Sequence, residues 1–208
     1  MRMLWRVAVV VCASVGAVVL LATVVGVVQV VRSGVSAQAP PTWLEATVAR
    51  VIRDWSVPSA LRRAGNPIEA SADVLASGRR HFADHCASCH ANDGSGDTPL
   101  GRGLFPRAPD MRAPGTQRLS DGQVFYFIEH GIRLTGMPAF GSGTPESERA
   151  SWELVHFIRR LPSITDEEIE EMRQLNPRSP AEWRAEEEMR EFLGLDLPDE
   201  DPEAEHVH

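Results

Sequence analysis

Cys86 and Cys89 stand two residues apart in HFADHCASCHANDGSG, His81 to Gly96, with His90 directly after the second. Three chemistries use a Cys-x-x-Cys pair: thiol–disulfide exchange, zinc binding and covalent haem attachment. Each makes a different demand on the rest of the chain. Thiol exchange sites of this kind sit at a strand-to-helix junction of an α/β fold. Here the pattern before Cys86 is helical, and no strand pattern lies near it. A structural zinc ion takes four ligands, usually as two spaced pairs. The chain holds one further cysteine, Cys12, inside an apolar run, so His81, His85 and His90 would have to complete a one-sided set.

Haem attachment asks less of the pair and more of distant residues. Cys86 and Cys89 would add across the two haem vinyl groups as thioethers, and His90 would become an axial ligand of the iron. The chemistry takes place outside the cytoplasm, so an export segment is expected. A second axial ligand is expected on a remote loop. TGMPAF, Thr135 to Phe140, offers Met137 there. A Met–His pair raises the reduction potential, because soft thioether sulfur favours Fe(II). Rivals exist: Met111 lies in the loop after His90, and Met172 and Met189 lie on helical patterns beyond the core. His130 and His156, each on a helix, would give bis-histidine ligation.

The export segment is present. Arg2 and Arg6 precede an uncharged apolar run from Val7 to Val31, and Arg32 closes it. About 20 such residues span a bilayer as a helix, whereas the apolar region of a cleaved signal is roughly 7–15. Length therefore favours an anchor, although VSA at Val35–Ala37 has the small residues of a cleavage site. Arg2 and Arg6 favour a cytoplasmic N-terminus, against a smaller opposing pull from Arg32, with everything after Arg32 outside.

Four regions follow: 1–35 as anchor or signal, 36–70 as linker with one amphipathic helix, 71–162 as the core domain and 163–208 as an acidic helical tail. In the linker, Leu44, Val48, Val51, Ile52 and Trp55 recur at helical spacing, which suits a membrane surface or the next domain. Ser71 reads as an N-cap for a helix with Val74, Gly78 and Phe82 on one face. Ala91 to Gly115 reads as a long irregular loop, and such a loop needs something to wrap. Ser120 with Gln123 forms a capping box for the next helix, with Gly131 as its stop. Thr144 and Pro145 start the last core helix, whose Leu154, Val155, Ile158 and Leu161 face inward. Thr165 with Glu168 and Ser179 with Glu182 are further capping boxes, ahead of a frayed end that includes His206 and His208. The fold class is all-α, and so small a core is marginal without a cofactor.

The chain has 208 residues and a formal net charge of -8. From Thr165 onward acidic residues outnumber arginines about four to one, so the body is mildly basic and the tail strongly acidic. Clustered positive charge is what binds phosphate, so a nucleic-acid partner is not expected. All 21 basic residues are arginine.

CASCH (Cys86–His90), GSG (Gly94–Gly96), APDM (Ala108–Met111), GIRLTGMPAF (Gly131–Phe140) and WELVHFIRRL (Trp152–Leu161) together resemble the class I c-type cytochromes. The resemblance covers roughly Ser71 to Pro162. It implies one covalent haem c on Cys86 and Cys89, with His90 and Met137 as the iron ligands. It implies a crossing of the first and last core helices near Gly78, Phe82 and either Trp152 or Phe157. It also implies that the Pro109 carbonyl, with Pro106 as rival, accepts from the His90 ring N–H, and that Pro138 shapes the methionine loop. The function implied is one-electron transfer on the extracytoplasmic face, with redox proteins and the membrane as partners and no catalytic residue. A cytochrome subunit of a membrane respiratory or dehydrogenase complex is the alternative. A haem sensor or a peroxidase with a labile Met137 is a third reading; the latter needs a distal acid–base group.

Overall fold

The computed structural model describes residues 2–33, 36–178 and 180–193, and among them every regular element is helical. Val35 of the VSA stretch, Ser179 of the last capping box, and His206 and His208 lie outside the described residues. Helix α1 runs Arg2–Ser33 and contains the apolar span Trp5–Gln29, long and apolar enough to cross a membrane, with its most apolar window unburied. Helix α2, Trp43–Ser56, opens on a capping box in which Glu45 N–H donates to the Thr42 hydroxyl and Thr42 N–H to the Glu45 carboxylate.

The core is built on helix α3, Ala72–His81, and helix α8, Pro145–Arg160. Ser71 caps α3 by accepting from Val74 N–H, and Thr144 caps α8 with Pro145 in the first turn. The two helices cross at Gly78. A β-carbon there would lie 2.4 Å from the Glu153 carbonyl oxygen and 3.1 Å from the Phe157 Cβ, so only glycine permits this approach. Phe82 then packs on Phe157 with ring centroids 5.2 Å apart, and both rings are essentially fully buried. Of the two aromatic residues expected at the crossing, Phe157 takes that place. Trp152 stacks instead on Phe125 of helix α7, Asp121–His130, at 4.1 Å and nearly parallel. The inward face of α8 is as the pattern predicts, with Leu154, Val155, Ile158 and Leu161 buried.

Two expectations need correction. The stretch Ala91–Gly115 is not wholly irregular, because it holds helix α5, Pro99–Gly103, and the start of helix α6, Pro114–Gln117. Thr98 caps α5 by accepting from Gly101 N–H, and each short helix begins on a proline. Met172, placed outside the core by the sequence, is fully buried within it. It belongs to helix α9, Asp166–Leu175, which begins on the Thr165–Glu168 capping box. Arg79 of α3 meets Glu171 at 2.8 Å and Arg160 of α8 meets Glu168 at 3.2 Å, so α9 is tied back onto both core helices. Helix α10, Pro180–Leu193, follows.

Gly78→Ala is expected to destabilise the chain by about 1–3 kcal/mol, the usual cost of forcing atoms into a filled contact. Gly103→Ala, with nothing within 4 Å of the added carbon, serves as the neutral comparison. Denaturant unfolding of the full chain in detergent, followed by helical circular dichroism, checks both.

Candidate functional site

Helix α3 does not run straight into the cysteines. A π-helical turn, Phe82–Cys86, intervenes, and Ala87 N–H donates to the Phe82 carbonyl five residues back. The extra residue resets the helical phase. Ala87, not Cys86, therefore follows Phe82 into the core, while Cys86 and Cys89 remain half-buried. Both are free thiols. Helix α4, Ala87–His90, delivers His90 at its last position, and Ala91 then breaks the helix with φ of 59°.

The loop after His90 is held by its own backbone. Gly96 N–H donates to the His90 carbonyl at 2.8 Å, Met111 N–H to the Gly94 carbonyl at 2.8 Å, and Ala108 N–H to the Gly101 carbonyl at 3.0 Å. The Thr98 hydroxyl donates to the Ser88 and Cys89 carbonyls at 2.8 and 3.2 Å. Gly96, at φ of 73°, lies against the Ala108 and Pro109 carbonyls, where a β-carbon would sit 2.4 and 3.1 Å from their oxygens. This is the contact that lays Ala108–Pro109 over the Cys-x-x-Cys-His segment. Arg112 adds a side-chain clamp, pairing with Asp110 at 2.9 Å and with Asp93 at 2.8 Å.

His90 is buried, and its Nδ1 has no hydrogen-bond partner. The Pro109 carbonyl bears on the ring and favours its charged form, but no bond of full geometry closes. Burial outweighs that pull and holds the imidazole below the ordinary histidine range, in the neutral state a metal ligand needs. Burial also pushes the Cys86 thiol up to about 12. A thiol so reluctant to ionise is a poor nucleophile for disulfide exchange. Among the described residues no three His, Cys, Asp or Glu side chains gather as a metal site, which leaves the zinc reading without its ligands.

Met137 stands half-buried on the loop between α7 and α8. That loop folds back on α7. Ile132 N–H donates to the Met137 carbonyl at 3.1 Å, Phe140 N–H to the Ile128 carbonyl at 3.0 Å and Gly141 N–H to the Glu129 carbonyl at 3.1 Å. Met137 N–H donates to the Thr135 hydroxyl, which itself donates to the Ile132 carbonyl. The methionine loop meets the His90 loop at Gly136 and Leu104. Gly136 lies so close to Leu104 that an added β-carbon would sit 2.5 Å from its Cδ2. Phe140 also reaches the cysteine helix, edge-on to His85 at 6.3 Å.

Of the rival ligands, one is bonded and the others are packed in the core or exposed. His156 Nε2 bonds the Ile68 carbonyl at 2.7 Å. His130 is exposed beside Tyr126. Met111 and Met172 are packed in the core, and Met189 is exposed on α10. His81 and His85 form an edge contact with each other. Pro106 follows a cis peptide bond from Phe105. Leu104, Gly136 and Thr98 are the positioning residues that sequence reading missed. Thr98–Pro99 carries a legible cap signal, whereas the Leu104–Gly136 contact has none.

The residues present fit a haem. Two free cysteines, a buried imidazole and a loop thioether are the donor types that covalent attachment and iron ligation would draw on, and the orphan His90 Nδ1 is the ring nitrogen left to a second partner such as the Pro109 carbonyl.

Arg112, by hydrogen bonding, holds the Asp110 carboxyl below the usual carboxylate range. Its contribution is complete above an ordinary aspartate pKa of about 3.9 and is lost as pH falls through the lowered value. The pair is largely exposed, so the contribution is under about 1 kcal/mol. Asp110→Asn is expected to lower the melting temperature slightly at pH 7, and the difference from the parent is expected to shrink as pH falls below the ordinary aspartate range, as thermal unfolding against pH would record.

Residues 73–158 match the family model described as cytochrome c oxidase, cbb3-type, subunit III. No curated protein matches the chain.

Proposed function

With residues 73–158 forming a c-type cytochrome domain for haem-based electron transfer, we propose that the chain is a membrane-anchored monohaem carrier of single electrons on the extracytoplasmic face. Cys86 and Cys89 would hold the haem as thioethers, and His90 and Met137 would ligate its iron. The haem supplies interconversion of Fe(III) and Fe(II). The observation that carries the reading is His90: it directly follows the cysteine pair, is buried and neutral, and keeps its Nδ1 free of any other bond.

The protein's own residues do the rest. Pro109 presents its carbonyl to the His90 ring; a bond to Nδ1–H would fix the tautomer and leave Nε2 for the metal. Met137 supplies soft sulfur, which favours the reduced state. Leu104 against Gly136 joins the methionine loop to the loop that follows His90. Two protein ligands leave no coordination site for a substrate, which separates this role from catalysis. Helix α1 is the anchor that keeps the domain at its membrane.

A second reading has a specific observation behind it. The matched family is described as an oxidase subunit, so the carrier would serve as one component of a membrane oxidase complex. Co-purification of an oxidase with the chain from membranes would favour it.

Spectra of the full chain, matured with covalent haem, test the ligands. The wild type is expected to be low-spin and unchanged by carbon monoxide when reduced. Met137→Ala is expected to keep the covalent haem, become high-spin and bind carbon monoxide. A native low-spin spectrum in that variant would remove Met137 from the assignment. Carbon monoxide binding by the wild type would favour the sensor or peroxidase reading.

A further inference from the structure

Helix α2 is amphipathic in the wrong direction for a soluble protein. Its half-buried residues are Ala46, Arg53 and Asp54. Arg53 faces the cytochrome domain, with its guanidinium 5.5 Å over the ring centroid of Phe127 on α7 and 2.8 Å from Asp54. At about 100° per residue, Leu44, Val48, Val51, Ile52 and Trp55 share one side of the helix, roughly opposite Arg53. That side is uncovered: Ile52 is 63% exposed and Trp55 76%. Trp43, at the start of the helix, is 79% exposed. The polar side is spent on the protein and the apolar side is left for something else.

We propose that this face of α2 lies in the lipid interface of the membrane that α1 spans, and holds the cytochrome domain against the bilayer surface. The inference rests on the anchor reading of α1. Three observations select lipid over other occupants. Only nine residues separate Ser33, the end of α1, from Trp43. Extended chain of that length reaches at most about 35 Å, so α2 cannot leave the vicinity of the membrane. Trp55 stands at the C-terminal end of the face and Trp43 at the first position of the helix, off that face but exposed, and such amphipathic rings settle at headgroup depth. The two acidic side chains, Glu45 and Asp54, balance Arg50 and Arg53 in number, so binding is driven by apolar burial and needs no anionic lipid. The consequence reaches the electron-transfer site. The chain after α2 inserts Val57 into the protein, and the turn at Leu61 lies on Gly122 of α7. A docked α2 therefore sets the height and orientation of the whole domain instead of leaving it on a loose tether.

The test uses the full, haem-loaded chain in phosphatidylcholine vesicles containing lipid brominated near the top of the acyl chains. Trp5 in α1 is the internal reporter of the anchor, and Trp43 and Trp55 report α2. Comparing the parent with Trp5→Phe and with the Trp43→Phe/Trp55→Phe pair apportions the bromine quenching. The expected result is that each change removes a separate part of the quenching. Quenching that survives intact in the Trp43→Phe/Trp55→Phe pair, but falls in Trp5→Phe, would overturn the docking of α2 and leave the anchor standing. Loss of quenching from both sets would overturn the anchor, and the docking with it. A third variant, Val48→Glu/Ile52→Glu, keeps Trp43 and Trp55 in place; it is expected to release them from quenching while Trp5 stays quenched, and unchanged quenching there would also count against the proposal.

Discussion

The contact between Gly78 and the Glu153 carbonyl is the constraint from which the site is assembled. Because α3 can approach α8 to backbone contact there, Phe82 and Phe157 close on each other one turn later. That buried pair fixes where the π-turn begins, and the π-turn fixes which way Cys86, Cys89 and His90 face. A bulkier residue at position 78 would separate the helices, and the error would be carried along the chain to His90. Glu153 serves the same junction through its side chain, which accepts from the Ser77 hydroxyl and pairs with Arg149.

The rest of the site is loop, and loops hold shape only where their backbone groups find partners. Residues 91–113 do so by bonding to themselves and to the carbonyls of the Cys-x-x-Cys-His segment. Residues 131–141 do so by bonding back onto the C-terminal end of α7. These two loops are fastened to different helices and meet where Leu104 covers Gly136. The arrangement places Met137 and His90 on separately supported segments. Buried Glu129, held by the Ser151 hydroxyl at 2.5 Å, stiffens the end of α7 on which the methionine loop rests.

Outside the core, α9 and α2 behave differently although both are amphipathic. The apolar residue Met172 of α9 is drawn into the core, and the acidic residues around it find Arg79 and Arg160. The acidic stretch after Thr165 is thus partly structural. The apolar face of α2 stays outside while its arginine is used inside.

Much of this was legible from residue types and spacing alone. Cys86, Cys89 and His90 raise the expectation of haem attachment locally, because the spacing itself carries it. Ser71, Ser120 with Gln123, Thr144 with Pro145, and Thr165 with Glu168 mark helix starts, because a cap is a bond within four residues. The apolar run of α1 is equally local. What sequence could not decide were contacts between segments distant in the chain. It left Trp152 and Phe157 as equals, and packing gave Phe157 to Phe82 and Trp152 to Phe125. It put Met172 outside the core and saw no role for Leu104. It read the π-turn as ordinary helix, since the extra residue is stabilised by burial of Phe82 and Ala87 and not by any local preference. Local hydrogen-bonding chemistry writes itself into short motifs; which buried surface meets which is settled only when the whole chain has closed.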